Sequence, residues 1–314
     1  MKDDQNDSLR NWRESATQQL LYTSAIFWSS KIDPKTAQDT LKHVQLLFAA
    51  GLYTLALSYI SLKNESQIQF SLLKANCLFN LGRYSEVIDL SYQADAKFKQ
   101  TEAALLVVQG RAYLKSSGYS QARDKFLDAL QLDVTCFDAL YELTSNEMLT
   151  GSNELDLINS LDTSLLSDQA EFLVLLYKTR LKKHQQLDSI QFISDTLENK
   201  YRLVNDPDVE LTRAEIFMVK GDFQKCLMKT SILVDFDMSN ISAVKIHSSC
   251  LLKLKKRAEL YYFAHKLVET FPDNSTSWFV VGTYYLLIEK YIESRRCFSK
   301  SSTIDPMFGQ GLLN

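Results

Sequence analysis

The chain has 314 residues, of which 46% are hydrophobic, and its formal net charge is −3. This charge balance argues against a nucleic-acid partner, because such proteins neutralise phosphates with an excess of Lys and Arg. The N-terminus is acidic and no apolar run could span a bilayer, so neither a signal peptide nor a membrane segment is expected. With only 9 Gly and 4 Pro, few residues interrupt long helices. The five scattered cysteines, without a C-x-x-C pair, are typical of reduced thiols in an intracellular protein.

In residues 1–136, small and aromatic residues recur at helical spacing. A weak first pair of helices is marked by Tyr22, Ala25, Phe27 and Trp28. Three clearer units then begin at Ala37, Ile68 and Ala103. The unit from Ala37 is defined by Leu47, Gly51, Tyr53 and Ala56, and the unit from Ile68 by Ala75, Leu78, Gly82, Tyr84 and Ala94. The unit from Ala103 is defined by Gly110, Tyr113, Tyr119, Ala122, Phe126 and Ala129. Gly51 and Gly82 lie where the first helix of a pair must end and the chain must reverse.

Residues 137–206 lack this signature but leave room for two degenerate units. The apolar periodicity predicts helices over 137–149, 168–183 and 189–201. Breaks are expected at 151–153, which reads Gly-Ser-Asn, and at 205–207, which reads Asn-Asp-Pro.

Three complete units then follow across 207–314, starting at Pro207, Ile241 and Ser275. In the third, Trp278, Gly282, Tyr285, Ser294, Phe298, Ser301 and Pro306 occupy positions 4, 8, 11, 20, 24, 27 and 32. This is the spacing of the tetratricopeptide unit of about 34 residues. The two earlier units carry the pattern with Ala214, Phe217, Gly221, Phe223 and Cys226, and with Ser248, Leu251, Leu267 and Pro272.

The spacing has a mechanical reason. Steps of three and four residues share one helical face, so small residues at positions 8 and 20 let two helices approach while larger ones fill the surrounding space. The pattern predicts an all-α fold, a tetratricopeptide-repeat superhelix (an α-solenoid of antiparallel helix pairs). The predicted packing residues are Gly110, Tyr113, Ala122, Phe126, Ala129, Ala214, Phe217, Trp278, Gly282, Tyr285, Phe298 and Pro306; Pro306 would also stop the last helix.

Enzyme-like features are weak. His247 and Cys250 form an H-x-x-C spacing on one helical face, but two ligands do not make a metal site, and both fit packing positions. No G-x-S-x-G nucleophile motif and no phosphate-binding glycine loop occurs. We therefore expect no catalytic residue, no metal and no cofactor.

The basic run 253–257, Lys-Leu-Lys-Lys-Arg, allows two interpretations. It could be a nuclear-import patch or a site for an acidic partner. The favoured interpretation is a solvated turn, because cations at a helix C-terminus complement its dipole.

The concave face of such a superhelix is lined mainly by the first helices. In the last unit the residues expected there are Thr276, Phe279, Thr283 and Leu286. Large apolar side chains on a free surface are unusual, so Phe279 and Leu286 either bury against the next repeat or meet a partner. On the second interpretation Phe279, Thr283 and Leu286 are the predicted partner contacts.

Three strings are more specific than the repeat pattern: SAIFWSSKI at 24–32, ALQLDVTCFDALYELTSNEMLT at 129–150, and the segment 260–309 that begins LYYFAHKLVETF. They resemble the cell-division-cycle-sixteen family, also called subunit six of the anaphase-promoting complex (cyclosome). The resemblance runs through nearly the whole chain, with gaps near 95–102 and 185–205, and it is strongest in the last 50 residues.

This resemblance implies a non-catalytic scaffold subunit of a ubiquitin ligase that acts in the cell cycle, located in the nucleus and cytoplasm. It also implies a homodimer formed through the N-terminal repeats, residues 1–136, and contacts with other cyclosome subunits. The aromatic-rich early repeats suggest Tyr22, Phe27, Trp28 and Tyr53 as dimer contacts. The alternative is a generic repeat adaptor or co-chaperone that binds an extended peptide.

One departure concerns the end of the chain. The family continues after Phe308-Gly309 with another repeat, whereas this sequence ends at Asn314. The resemblance therefore implies that the C-terminal repeats, which hold a groove for a small accessory subunit in the family, are missing from this chain.

Overall fold

A computed structural model describes residues 2–33, 35–63, 67–93, 96–181 and 187–305. Over these ranges every regular element is a helix, as predicted for an all-α tetratricopeptide solenoid. The chain forms two compact units, Met1–Met148 and Leu149–Asn314. The predicted three-part division at residues 136 and 206 concerns how regular the repeats are, and it stays a prediction.

The first unit is built from helix pairs in which the odd-numbered helix precedes its partner. Its elements are α1 (Lys2–Gln18), α2 (Tyr22–Lys31), α3 (Ala37–Ala49), α4 (Tyr53–Lys63), α5 (Ile68–Asn80), α6 (Tyr84–Ile88), α7 (Lys99–Lys115), α8 (Tyr119–Leu132) and α9 (Phe137–Ser145), with a 3₁₀ turn at Ala96–Phe98. The first helices of successive pairs, α3, α5 and α7, pack on one another, and each second helix packs on the pair that follows.

The second unit repeats this arrangement. Its elements are α10 (Gly151–Ser160), a 3₁₀ turn at Ser164–Gln169, α11 (Ala170–Thr179), α12 (Leu187–Asn199), α13 (Pro207–Val219), α14 (Phe223–Phe236), α15 (Ile241–Lys253), α16 (Arg257–Thr270), α17 (Ser275–Leu287) and α18 (Tyr291–Ile304). The first helices α11, α13, α15 and α17 form one layer. One core of buried residues, including Ala214, Val244, Leu251 and Val280, extends from α13 to α17.

Eight first helices end in the same turn. The residue two past each helix has a positive φ, and the next backbone N–H donates to a carbonyl five residues earlier, as in Asp222 N–H to Phe217 O at 2.9 Å. This is the Schellman motif. The positive-φ residues are Leu20, Gly51, Gly82, Ser117, Glu147, Gly221, Lys255 and Glu289. Glycine occupies three of these positions as predicted, and five other side chains adopt the same left-handed conformation.

The segment between the regular repeats differs from expectation in detail. The predicted break at 151–153 is wrong, because Gly151 begins α10, which follows Thr150 at the N-cap. The predicted helix over 168–183 is shorter, since α11 covers Ala170–Thr179 and residues 182–186 lie outside the described part of the chain. The break at 205–207 is confirmed. There the Asp206 side chain accepts from the N–H groups of Asp208 and Val209 and caps α13.

Candidate interaction surfaces

Two glycines mark the tightest approach between paired helices. A Cβ on Gly110 would lie 2.6 Å from Cε1 of Phe126, and a Cβ on Gly282 would lie 2.6 Å from Cε1 of Phe298. Both glycines occupy position 8 of their unit and both phenylalanines occupy position 24. Any larger residue at position 8 therefore requires the ring opposite to move.

The units from Pro207 and Ile241 have side chains of other sizes at positions 8 and 24. Where position 24 holds Thr230, position 8 holds Ala214, and where position 24 shrinks to Ala264, position 8 grows to Ser248. All four side chains are buried. The residue at position 8 is thus larger where the residue at position 24 is smaller.

Position 20 adds a hydrogen bond between the paired helices. The Ser294 hydroxyl donates to the carbonyl of Gly282 at 2.9 Å, and the Cys226 thiol donates to the carbonyl of Ala214 at 3.1 Å. A buried backbone carbonyl at position 8 thereby gains a second donor.

The remaining predicted packing residues lie inside their helix pairs. Ala122 and Ala129 are fully buried, whereas Tyr113, Phe217 and Tyr285 are half-buried. The Trp278 Nε1–H donates to the Pro272 carbonyl at 2.8 Å, and the Lys300 ammonium lies 3.3 Å from the centre of its ring. Pro306 lies outside the described residues.

The four aromatic residues proposed as dimer contacts fall into two groups. Tyr22 packs against Ala16, Ala25 and Leu46, and Tyr53 packs on Phe48 at 5.4 Å between ring centres. These two tyrosines belong to the interior of their helix pairs.

By contrast, Phe27 and Trp28 lie on an outward cluster that includes a residue the sequence analysis missed. Trp12 of α1 meets Trp28 edge-on at 5.0 Å, and Phe27 meets Trp28 at 4.9 Å. Trp12 and Phe27 are 52% and 51% exposed. Trp12 lies in α1, for which the sequence assigned no repeat register. Its contact with Trp28 of α2 becomes visible only when the two helices are paired.

A buried ion cluster joins α1 to α3 and was also missed. Arg13 Nη1 lies 3.0 Å from Asp39 Oδ1, and Arg10 Nη2 lies 2.9 Å from Asp39 Oδ2. Asp39 also forms a capping box with Thr36 at the start of α3. Burial alone would raise the pKa of Asp39, but the hydrogen bonds from Arg10, Thr36 and Arg13 hold that pKa well below its ordinary value.

Two histidines among the described residues are buried, one in each unit. Burial lowers the pKa of His43 to about 4, and the positive charges of Lys35 and Arg13 act in the same direction. Burial likewise lowers the pKa of His247 to about 4. The His247 Nδ1 lies 3.0 Å from the Thr230 hydroxyl, whereas the Cys250 Sγ contacts the Met218 sulfur at 3.9 Å. The H-x-x-C pair is thus engaged in packing contacts, and within the described ranges no three such side chains converge as metal ligands.

The structure corrects the predicted partner face of the last unit. Thr283 is only 4% exposed and its hydroxyl donates to the Phe279 carbonyl. Phe279 packs on Phe298 at 5.6 Å between ring centres and belongs to the core of the second unit. Thr276 is buried as well, whereas Phe279 is half-buried and Leu286 is 38% exposed. The prediction is therefore wrong for Thr283, because this part of α17 is covered by the helices packed around it.

These features define the class of protein: an α-solenoid of tetratricopeptide-type helix pairs with no helix, among the described residues, that has the length and apolar character to cross a bilayer. A family profile described as anaphase-promoting complex (cyclosome) subunit 3 matches residues 18–94. The chain is 30% identical to anaphase-promoting complex subunit cut9 of Schizosaccharomyces pombe over 96% of its own length and 48% of that protein. It is 27% identical to subunit CDC16 of Saccharomyces cerevisiae over 98% of its length and 40% of that protein.

A solved structure agrees with these relatives. The crystal structure of the anaphase-promoting complex hetero-tetramer Cut9-Hcn1 superposes with a TM-score of 0.88 at 29% identity, over 96% of this chain and 60% of the matched one. The predicted resemblance to the cell-division-cycle-sixteen family is thereby confirmed along nearly the whole chain. The chain spans about half the length of the curated relatives it matches.

Proposed function

We propose that this chain acts as a scaffold subunit of the anaphase-promoting complex (cyclosome), a ubiquitin ligase of the cell cycle. The observation that carries the proposal is the superposition on the Cut9-Hcn1 hetero-tetramer, which extends over 96% of the chain. Conserved helix pairing over such a length preserves the surfaces that a solenoid offers to its neighbours. Affinity capture of the tagged chain from its own cells, followed by mass spectrometry, tests this; recovery without any other cyclosome subunit would contradict it.

The proposed role in the complex is structural and not catalytic. Supporting it, the buried histidines and cysteines of the described residues are engaged in packing or hydrogen bonds, as His247 and Cys250 are. The proposal also includes a location in the nucleus and cytoplasm, as expected for a subunit of a cell-cycle ligase. Imaging of a fluorescent fusion through the cell cycle tests that location.

The same proposal includes self-association through the first unit, within residues 1–136. Its support is the outward aromatic cluster of Trp12, Phe27 and Trp28, because exposed aromatic clusters of this kind mark protein interfaces. The half-buried Tyr22 and Tyr53 would then shape the helix pairs behind the interface.

Analytical ultracentrifugation of the full chain tests the dimer. The wild-type chain should sediment as a dimer, and the double variant Phe27→Ser/Trp28→Ser should sediment as a monomer. Phe236→Ser is the matched control, since Phe236 is 82% exposed but lies on α14 of the other unit; it should leave the dimer intact. A wild-type chain that stays monomeric at high concentration would remove this part of the proposal.

A further inference from the structure

The basic run at 253–257 forms the turn between α15 and α16. Lys253 ends α15, Lys255 adopts a φ of 55°, and Arg257 begins α16. A nuclear-import receptor binds its signal in an extended conformation, whereas this run is fixed in a helix end, a Schellman turn and a helix start. The import interpretation therefore does not fit the folded chain, and another role for these cations is open.

In the next helix pair, α18 is the equivalent of α16, and its first residues follow the same kind of turn. Lys255 and Glu289 occupy the positive-φ position of their turns, so Arg257 and Tyr291 are equivalent first residues of α16 and α18. Five residues further on, about 140° round each helix, Tyr262 on α16 corresponds to Arg296 on α18. Each of the two helices therefore carries both an exposed cation and an exposed aromatic ring. We call this surface the basic–aromatic edge: Lys255, Arg257, Tyr262, Tyr291, Arg295 and Arg296.

The cations of this edge have no acidic partner among the described residues, whereas Lys256 in the same turn pairs with Glu259 at 2.9 Å. Lys255, Arg257, Arg295 and Arg296 are all exposed. Across 253–300 there are nine Lys and Arg against five Asp and Glu. This segment is thus locally positive in a chain whose net charge is −3.

The aromatic rings beside these cations are also exposed. Tyr262 is 71% exposed and Tyr291 is 64% exposed, and the neighbouring Ile292 is 69% exposed. Tyrosine and arginine together are the residues that contribute most to protein interfaces. Unpaired cations beside exposed rings favour a ligand that brings both negative charge and apolar side chains.

We infer that the basic–aromatic edge binds an acidic segment of a partner protein, in which Asp and Glu alternate with leucine or aromatic residues. Charge complementarity selects the acidic residues and steers the encounter, and Tyr262 and Tyr291 receive the apolar ones. A single-stranded nucleic acid would also meet cations and rings, but the few clustered cations and the acidic balance of the whole chain disfavour it. The inference does not depend on the proposed cyclosome role.

The test uses the full chain and a fluorescein-labelled peptide of about 12 residues that alternates glutamate with leucine and tyrosine. Fully extended it spans roughly 40 Å, which exceeds two interhelical steps of roughly 10 Å each, from α16 to α17 and from α17 to α18. Fluorescence anisotropy should show saturable binding that weakens at least about tenfold between about 50 mM and about 500 mM NaCl, because salt screens exposed charges. A peptide with glutamine in place of glutamate should not bind.

Two variants locate the site. Arg257→Glu/Arg295→Glu/Arg296→Glu should weaken binding by at least about tenfold, and Tyr262→Ala/Tyr291→Ala should weaken it without changing the salt dependence. The matched control Lys99→Glu/Lys115→Glu/Arg202→Glu makes the same change in net charge at exposed cations on other parts of the chain, which have no acidic partner among the described residues, and it should bind like the wild type. Circular dichroism checks that each variant is folded.

Three results would overturn the inference. They are an absence of saturable binding by the acidic peptide, equal loss of binding in the control triple variant, and tighter binding of a labelled single-stranded DNA of the same charge than of the peptide.

Discussion

At the residue scale, the left-handed turn positions show how much of the fold a sequence can reveal. Gly51, Gly82 and Gly221 could be recognised as turns because glycine adopts positive φ without steric cost. Ser117 and Glu289 could not be recognised in this way, because serine and glutamate do not favour a positive φ. Their φ values of 62° and 60° are imposed by the helix ends on either side. Backbone hydrogen bonds therefore override a local preference of roughly 1 kcal/mol.

Replacing such a residue with glycine should stabilise the protein. For Glu289→Gly we expect a gain of about 0.5–1 kcal/mol in the free energy of unfolding, because the side chain no longer opposes the left-handed backbone. The urea midpoint should rise while the slope of the transition stays constant.

Gly221→Ala is the reciprocal control for this substitution. Its φ of 78° should make the variant less stable than the wild type by about 1 kcal/mol. If both substitutions destabilised the chain, relief of backbone strain would not govern these turns.

At the element scale, paired helices are fitted through positions 8 and 24. The repeat spacing was enough to predict that Gly282 and Phe298 belong to one packing face. It could not predict how closely these two residues approach, since that depends on which atoms meet across the helix pair.

A double-mutant cycle measures this fit. Gly282→Ala should cost about 1–3 kcal/mol, because its Cβ would lie 2.6 Å from the Phe298 ring. In the Phe298→Leu background the same substitution should cost less, since the shorter side chain leaves room. Thermal denaturation of the four proteins gives the coupling energy, and strict additivity would show that the two residues do not share one contact.

The buried cluster at Asp39 links α1 to α3. Sequence reasoning missed it because Arg13 and Asp39 are far apart in the chain and no repeat rule pairs them. Asp39→Asn should lower the free energy of unfolding by roughly 3–5 kcal/mol, because Arg13 would remain buried without its counter-charge.

The exposed pair between Arg10 and Asp7 provides the control for that prediction. Asp7→Asn should cost less than about 1 kcal/mol, since the Asp7 side chain is 69% exposed. Chemical denaturation monitored by tryptophan fluorescence measures both variants, and equal losses would show that burial does not set the strength of the cluster.

At the scale of the whole molecule, stability should depend on pH through the two buried histidines. The pKa of His43 and the pKa of His247 are each lowered to about 4, below the unfolded value of about 6.5. The unfolded chain therefore binds more protons between these two pH values. The contribution of the two neutral histidines to the free energy of unfolding is therefore fully present above about pH 6.5. It is lost as the pH drops towards 4, by up to about 1.4 kcal/mol per pH unit for each histidine.

Urea titrations at about pH 7 and about pH 4.5 should reveal this loss. The double variant His43→Gln/His247→Gln should be less sensitive to pH over that interval than the wild type. His265→Gln is the control, because His265 is 63% exposed and should leave the pH dependence unchanged. The same slope in all three proteins would assign the pH dependence to other groups.

The early and late strings predicted the resemblance to the cell-division-cycle-sixteen family, and the repeat spacing predicted the helix pairs. The open surfaces were harder to predict, because the burial of Thr283 depends on how the neighbouring helices pack around α17. The outward position of Trp12 likewise required the folded first pair.

The recurring Schellman turn has a consequence for how such a protein can change. Eight copies of one backbone conformation hold glycine, leucine, serine, glutamate or lysine at the same point. The hydrogen bonds that close the turn belong to the main chain, so the side chain there does not decide whether the turn forms. Mutation can therefore change the charge at these turns in each unit, one repeat at a time, at a cost of about 1–2 kcal/mol. The turns are positions where new binding partners can be acquired while the helix pairs that they connect stay as they are.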